Sequence, residues 1–384
     1  RAAEELDTLM CQFDSYPQRK QRFLNHLLAR FAESFTDYAI VMYQLYNKTE
    51  VEDALIRHKA RFLKDYPLLS SGRARAFNAH PDAEKWDTEN VSGLERRLAR
   101  LAGIDDYRRK NLAGWNHQTD IQDGQYSWRL QDEQGAPMLE SSLLYDSQMA
   151  VNDALLEDLL LTREPSNYST AENGGWHFIL VKTVEINGAA QQQELARSIM
   201  AYPSEGEAES ARDSFMASLE SSPSPEGFYL IEHVLLHPTI EEGPAPGDFF
   251  SVDKGRGGEF PDPLDPYSFR VTVILPGWTA RFSSIPFRQF LENRIRMELP
   301  AHIMARICWI RREQMLKFEI RYREWLEEAS NPEKRRRFLE ALKEVHSVYP
   351  EGCLQDCADI TEENGQKAVI LNRTHLGMIT DKQD

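Results

Sequence analysis

Apolar residues at Leu24, Leu28, Phe31, Phe35, Tyr38, Met42 and Leu45 alternate steps of four and three, and Arg19 to Tyr46 contains neither Gly nor Pro. That spacing is a heptad seam and predicts one long helix with these seven side chains on one side. Leu27, Ala32 and Ala39 widen the stripe, so a core helix and an intermolecular coiled coil both remain open. A second helix is expected from Glu50 to Lys64, ending before Pro67. In SGLERRLARLAGI, Ser92 can cap a short helix, Glu95 completes a capping box, and Gly103 stops it. Leu94, Leu98 and Leu101 form its apolar side, which leaves Arg96, Arg97 and Arg100 on a face expected to be wet, solvated or turned to an acidic partner.

Further along, the period shortens to two. Residues 126–161 and 176–220 each show an aromatic alternating strand, a polar turn, a second strand, a Tyr and a helix-capping Ser. Tyr145/Ser147 and Tyr202/Ser204 stand at matching places, so the two segments read as a degenerate β-β-α repeat with 164–175 as linker. Residues 227–329 give β-β-α-β-α, like a small ferredoxin-like or split-βαβ sandwich, and Asn331 with Pro332 opens another helix. The expected class is α+β. The expected parts are a helical bundle or coiled-coil region at 1–110, β-β-α modules at 111–165 and 166–225, an α+β domain with C-terminal helices at 226–349, and a polar tail at 350–384.

Candidate chemistry centres on GFYLIEHVLLHP. As a helix it would align His233 with His237 beside Glu232, the elements of a zinc hydrolase. Flanking prolines and a length of about ten residues favour a strand, which puts Glu232 and His233 on opposite faces. His346, Cys353, Cys357 and His375 contain a C-x3-C pair but no regular zinc spacing. The loop GRGG at 255–258 lacks a nucleotide-binding context, and DPLDP at 262–266 with Glu259 lacks EF-hand spacing. No nucleophile motif is visible, so the expectation is a non-enzyme without a cofactor.

Composition changes the picture in two ways. A net charge of −16 disfavours nucleic acid or an anionic membrane as main partner. Four cysteines in 384 residues are too few for a disulfide scaffold and fit a reducing compartment. The chain begins at Arg1 without Met, which suggests a fragment or processed form.

Residues 22–40, 90–104, 265–282 and 294–310, together with YLIEHVLLHP, resemble baseplate proteins of contractile, phage-tail-like injection systems. The resemblance implies a wedge subunit between central hub and sheath, joined to other wedge subunits through bundled helices. It also implies cytoplasmic assembly into a particle that is released or held at a membrane through partner proteins. Leu24–Leu45 and Arg96, Arg97 and Arg100 would then be the subunit-contact positions, and the β-β-α units, which look like YegP-type modules, would be peripheral spacers. The alternatives left open are a metal-dependent hydrolase using Glu232, His233 and His237, and an adaptor that binds a peptide on a sheet edge.

Overall fold

The computed structural model describes residues 16–114, 116–131, 136–186, 189–221, 225–237 and 267–349. Cys353, Cys357, His375 and the 255–266 loops lie outside them. The architecture is mixed α+β, with a six-stranded antiparallel sheet, a three-stranded sheet and helices packed on both.

The N-terminal layer holds α1 (Tyr16–Ala29), α2 (Thr36–Leu45) and α3 (Lys48–Ser71). The expected single seam helix is broken. The Glu33 N–H bonds back to Leu28 O at 3.1 Å and Ala32 N–H to Ala29 O at 3.1 Å, with Ala32 left-handed at φ 57°. This is a helix-ending pair of bonds in a place where Gly is the usual residue. Leu24, Leu28, Phe35, Tyr38 and Met42 are buried within their own chain, Leu45 is half-buried, and Phe31 is exposed with its ring against Tyr66 at 4.1 Å. The second helix is also longer than expected. It runs through Pro67 to Ser71, and Leu69 in its last turn is buried.

Helix α4 (Gly93–Leu101) has the capping box its sequence announces, with Ser92 Oγ accepting from Glu95 N–H at 3.2 Å and Glu95 Oε2 accepting from Ser92 N–H at 2.7 Å. Its arginines are not on a wet face. Arg96, Arg97 and Arg100 are all buried, because neighbouring elements surround the helix and supply partners. Arg97 lies between Glu298 (2.6 Å) and Glu33 (2.8 Å), Arg100 meets Asp65 (2.6 Å), and Arg96 donates to Glu89 O (2.7 Å).

The large sheet comprises β1 (Asn116–Gln122), β2 (Gln125–Gln131), β3 (Pro137–Ser141), β4 (Tyr168–Glu172), β5 (Trp176–Ile186) and β6 (Ala189–Ser198), in the order β1-β2-β3-β6-β5-β4. Helix α5 (Gln148–Leu161) follows β3 and α6 (Glu205–Ser221) follows β6. Two of these strands, β1 and β4, were not expected, and the supposed linker 164–175 contains β4. The halves share local detail. Tyr145 bridges to Tyr126 and Tyr202 to Trp176; Ser141 Oγ donates to Leu143 O and Ser198 Oγ to Met200 O. Ser147 caps α5 through Ala150 N–H, and Ser204 accepts from Glu207 N–H. Trp128, Leu130, Leu139, Phe178 and Leu180 pack with Val151, Leu155 and Phe215 into one core.

The small sheet is β7 (Tyr229–Glu232), β8 (Arg270–Pro276) and β9 (Met304–Ile310), with α7 (Ile285–Glu298) crossing between β8 and β9. β8 and β9 are hydrogen-bonded parallel neighbours, so the crossover is not split by another strand, unlike the expected arrangement. Helices α8 (Arg312–Glu327) and α9 (Pro332–Glu344) finish the described chain. Trp325 stacks on Phe338 at 5.2 Å, and Asn331 caps α9 through Glu333 and Lys334 N–H. Among the described residues, no helix is long and apolar enough to cross a membrane.

Candidate functional site

The zinc-like stretch is divided by its backbone. Tyr229–Glu232 is strand and His233–Leu236 a 3-10 turn, because the run leaves the sheet after Glu232. His233 is buried with Nε2 2.7 Å from Thr272 Oγ1, and burial pushes it down to about 3, so it stays neutral. His237 is exposed with its ring against Tyr267, and burial raises Glu232 above the usual carboxylate range. Among the described residues, no three His, Cys, Asp or Glu side chains gather as a metal site.

The densest polar arrangement is instead built around Arg281, in the turn between β8 and α7. Its Nε donates to Glu226, which leads into β7, at 2.8 Å, and its Nη2 also pairs with that carboxylate. Its Nη1 donates to Tyr38 Oη on α2 (2.9 Å) and to Ala102 O (3.1 Å), and Nη2 donates to Gly103 O (3.3 Å). An arginine only donates, so the Tyr38 hydroxyl proton is directed to His58 Nδ1 on α3, 2.8 Å away. His58 then carries its proton on Nε2, 4.0 Å from Asp105 Oδ1. Burial pushes Tyr38 up to about 12; burial and then the Arg281 charge push His58 down to about 4. Every N–H of Arg281 is committed within the chain. The group therefore ties five segments together and has no donor left for a substrate anion.

Gly103 is required there. Its φ is 65°, and a Cβ would stand 2.2 Å from Tyr38 Oη and 2.7 Å from His58 Nδ1. Gly103→Ala is expected to cost more than about 2 kcal/mol, combining left-handed strain with displacement of a buried hydrogen bond. Chemical denaturation measures it, and a midpoint equal to that of the parent would refute it.

A second buried acid, Glu319 on α8, accepts from Leu112 N–H, Ala113 N–H (3.1 Å) and the Tyr229 hydroxyl (2.8 Å). Burial, the largest influence, raises it to about 7 against those three donors. A third link joins α5 to α8, where Asn152 donates to Glu324 at 2.7 Å and Arg321 holds Glu324 at 3.1 Å.

Beside Arg281 lies an open cleft of about 790 Å³, lined by apolar Met42 and Ala54 and by both acidic (Glu50, Asp53) and basic (Arg57, Lys110) side chains. The expected contact residues Arg96, Arg97 and Arg100 are not in this cleft, and of the seam only Met42 lines it. Sequence reasoning passed over Arg281, His58, Glu226 and Glu319. Only Glu319 carried a signal, since it stands with Met315, Phe318 and Tyr322 at i, i+3, i+4 and i+7 of an otherwise apolar stripe. A scan against protein-family models finds none that matches this chain, and a search of curated proteins finds no match either.

Proposed function

We propose that this chain is a non-enzymatic structural subunit of the baseplate wedge of a contractile injection system. In that role it links hub to sheath and passes the contraction trigger on through subunit contacts. One observation carries the reading. The stretches that resemble such proteins are scattered along the sequence, yet they supply one core: Leu28 and Phe35; Leu98 and Leu101; Leu230; Val273 and Phe282; Ile295 and Trp309. A close-packed body of this kind moves as a unit and transmits displacement instead of absorbing it. The commitment of Arg281 to segment joining, with no donor left over, agrees with a load-transmitting role.

The halves of the large sheet are read as divergent copies of one module, on the matched Ser141/Ser198, Tyr145/Tyr202 and Ser147/Ser204 contacts. Neighbouring wedge subunits, hub and sheath are the proposed partners. Leu28 and Phe35 face the core, so Leu28→Asp with Phe35→Asp would unfold the N-terminal layer and says nothing about assembly. Exposed Phe23, Ile40 and Tyr43 are the better positions to probe.

The test is light scattering and negative-stain imaging of material purified from its native source. A megadalton, sheathed particle containing the chain is expected. A lone species near 44 kDa in that material would overturn the proposal.

A further inference from the structure

Tyr229 on β7 has one hydroxyl proton and two acceptors for it. Its Oη is within hydrogen-bond reach of the Lys110 carbonyl oxygen and of Glu319 Oε1, the latter at 2.8 Å. It cannot donate to both at once. Glu319 is 1% exposed, and among the described residues no cation pairs with it. Its remaining contacts, the Leu112 and Ala113 N–H groups, only donate. The protonation state of Glu319 therefore sets the direction of Tyr229. An ionised carboxylate takes the Tyr229 hydrogen bond, and the Lys110 carbonyl goes without it. A protonated carboxyl donates from Oε1 to Tyr229 Oη, which frees the Tyr229 proton for Lys110 O. In that second state all three groups have partners and no net charge is buried.

These groups meet at a joint. Residues 104–114 carry the chain from α4 to β1, from the helical layer to the large sheet. Arg109 exchanges both backbone bonds with Thr88, at 2.9 and 3.2 Å, and Asn111 accepts from Trp86 Nε1 at 3.1 Å. A Cβ on Gly227 would stand 2.7 Å from Leu112 Cδ2, so the segment is closely packed there. Trp86 (6.0 Å), Phe318 (5.3 Å) and Tyr322 (5.8 Å) enclose the Tyr229 ring, so the hydroxyl turns while the ring stays in place. The other charged and titratable neighbours are committed. Arg109, whose charge bears on Tyr229 and Tyr322, lies over the Phe77 ring at 4.2 Å and donates to Lys85 O. The Lys110 ammonium is paired with Asp106 at 2.7 Å. Glu95 is held by Ser92, and it and Glu232 bear on Tyr322 without bonding to the pair. Burial keeps both the Tyr229 and Tyr322 hydroxyls protonated, which leaves Glu319 as the group that titrates.

We propose that Glu319 and Tyr229 form a proton-operated latch on the segment that joins the helical layer to the large sheet. Protonation of Glu319 turns the Tyr229 hydroxyl to Lys110 O and closes the joint. Ionisation turns it back, leaves the Lys110 carbonyl without this donor and places a charge in the core. Opening the segment to water then becomes easier. A single proton and one hydroxyl rotation are the whole change. The proposal goes beyond the baseplate reading and does not rest on it.

The test is NMR on the full chain with backbone isotope labels, from about pH 5 to about pH 8. The Lys110 carbonyl carbon and the Leu112 and Ala113 amide protons should titrate together, with a midpoint at about 7. Exchange of those two amides, corrected for base catalysis, should speed up roughly a hundredfold over the same range. Glu319→Gln places a neutral donor and acceptor at the site, so all three signals and the corrected exchange should become independent of pH. Tyr229→Phe should keep the amide titration and remove the Lys110 response. A Lys110 carbonyl that stays still while the amides titrate, or that still moves in Tyr229→Phe, overturns the handover. Corrected exchange that is flat with pH in the parent overturns the latch. If Tyr229→Phe fails to fold, the parent and Glu319→Gln curves decide both points by themselves.

Discussion

Replacing Arg281 with Met is expected to lower folding stability by about 3–5 kcal/mol, the usual cost of removing one partner from a buried ion pair. The loss has identifiable parts. Glu226 is left without its counter-charge, and the Ala102 and Gly103 carbonyls lose their donor. Tyr38 keeps His58 as acceptor, but its oxygen loses the hydrogen bond it accepts from Arg281. Glu226→Gln should cost less, because Arg281 keeps its bonds to Tyr38, Ala102 and Gly103. The double variant should cost less than the two single changes added together, since the orphaned carboxylate is gone. Guanidinium denaturation of the four proteins measures this. A loss below about 1 kcal/mol for Arg281→Met would mean that the surrounding apolar packing, and not the guanidinium, holds the five segments.

Glu319 should dominate the pH dependence at its site. Its folded pKa of about 7 is above the unfolded carboxylate value, so the folded chain binds this proton more tightly. Stability therefore falls as pH rises from about 4.5 to about 7 and levels off beyond it, by roughly 3 kcal/mol in all. His58 acts in the opposite sense. With a folded pKa of about 4, it costs stability as pH falls from about 6.5 toward 4. The two slopes partly cancel in the parent protein, so the difference between parent and Glu319→Gln is the informative curve. That difference should change by roughly 3 kcal/mol between pH 4.5 and 7. Parallel curves would show that the Leu112, Ala113 and Tyr229 donors hold the carboxylate charged throughout.

Local signals in the sequence were reliable where one residue type has one physical use. Ser92, Glu95 and Gly103 bound α4 as their types require, and Asn331 with Pro332 opens α9. The class and the βαβ order were legible because hydrophobic period tracks burial. What failed depended on tertiary context. Ala32 takes a left-handed turn that its type does not advertise, so a seam regular over three heptads is two helices. Pro67 is carried inside α3 because burial of Leu69 beyond it offsets its missing hydrogen bond. Arg96, Arg97 and Arg100 look like a wet face until Glu33, Asp65 and Glu298 arrive from other parts of the chain. The Arg281 group was invisible for the same reason, since its members come from five segments and no spacing links them.

Those partners also set an order of events at the ribosome. Arg97 and Glu298 are 201 residues apart, and Tyr38 and Arg281 are 243 apart. The N-terminal helices are made before β8, α7 and β9, so the Arg97 contact with Glu298 and the Tyr38 contact with Arg281 are completed only after those elements emerge. At roughly 5–20 residues per second, that leaves the N-terminal layer incomplete for about 10–40 s. The N-terminal layer is thus made well before the strands and helix that complete it. A chain stalled or cut before β9 would expose a helical surface suited to chaperones and prone to aggregation.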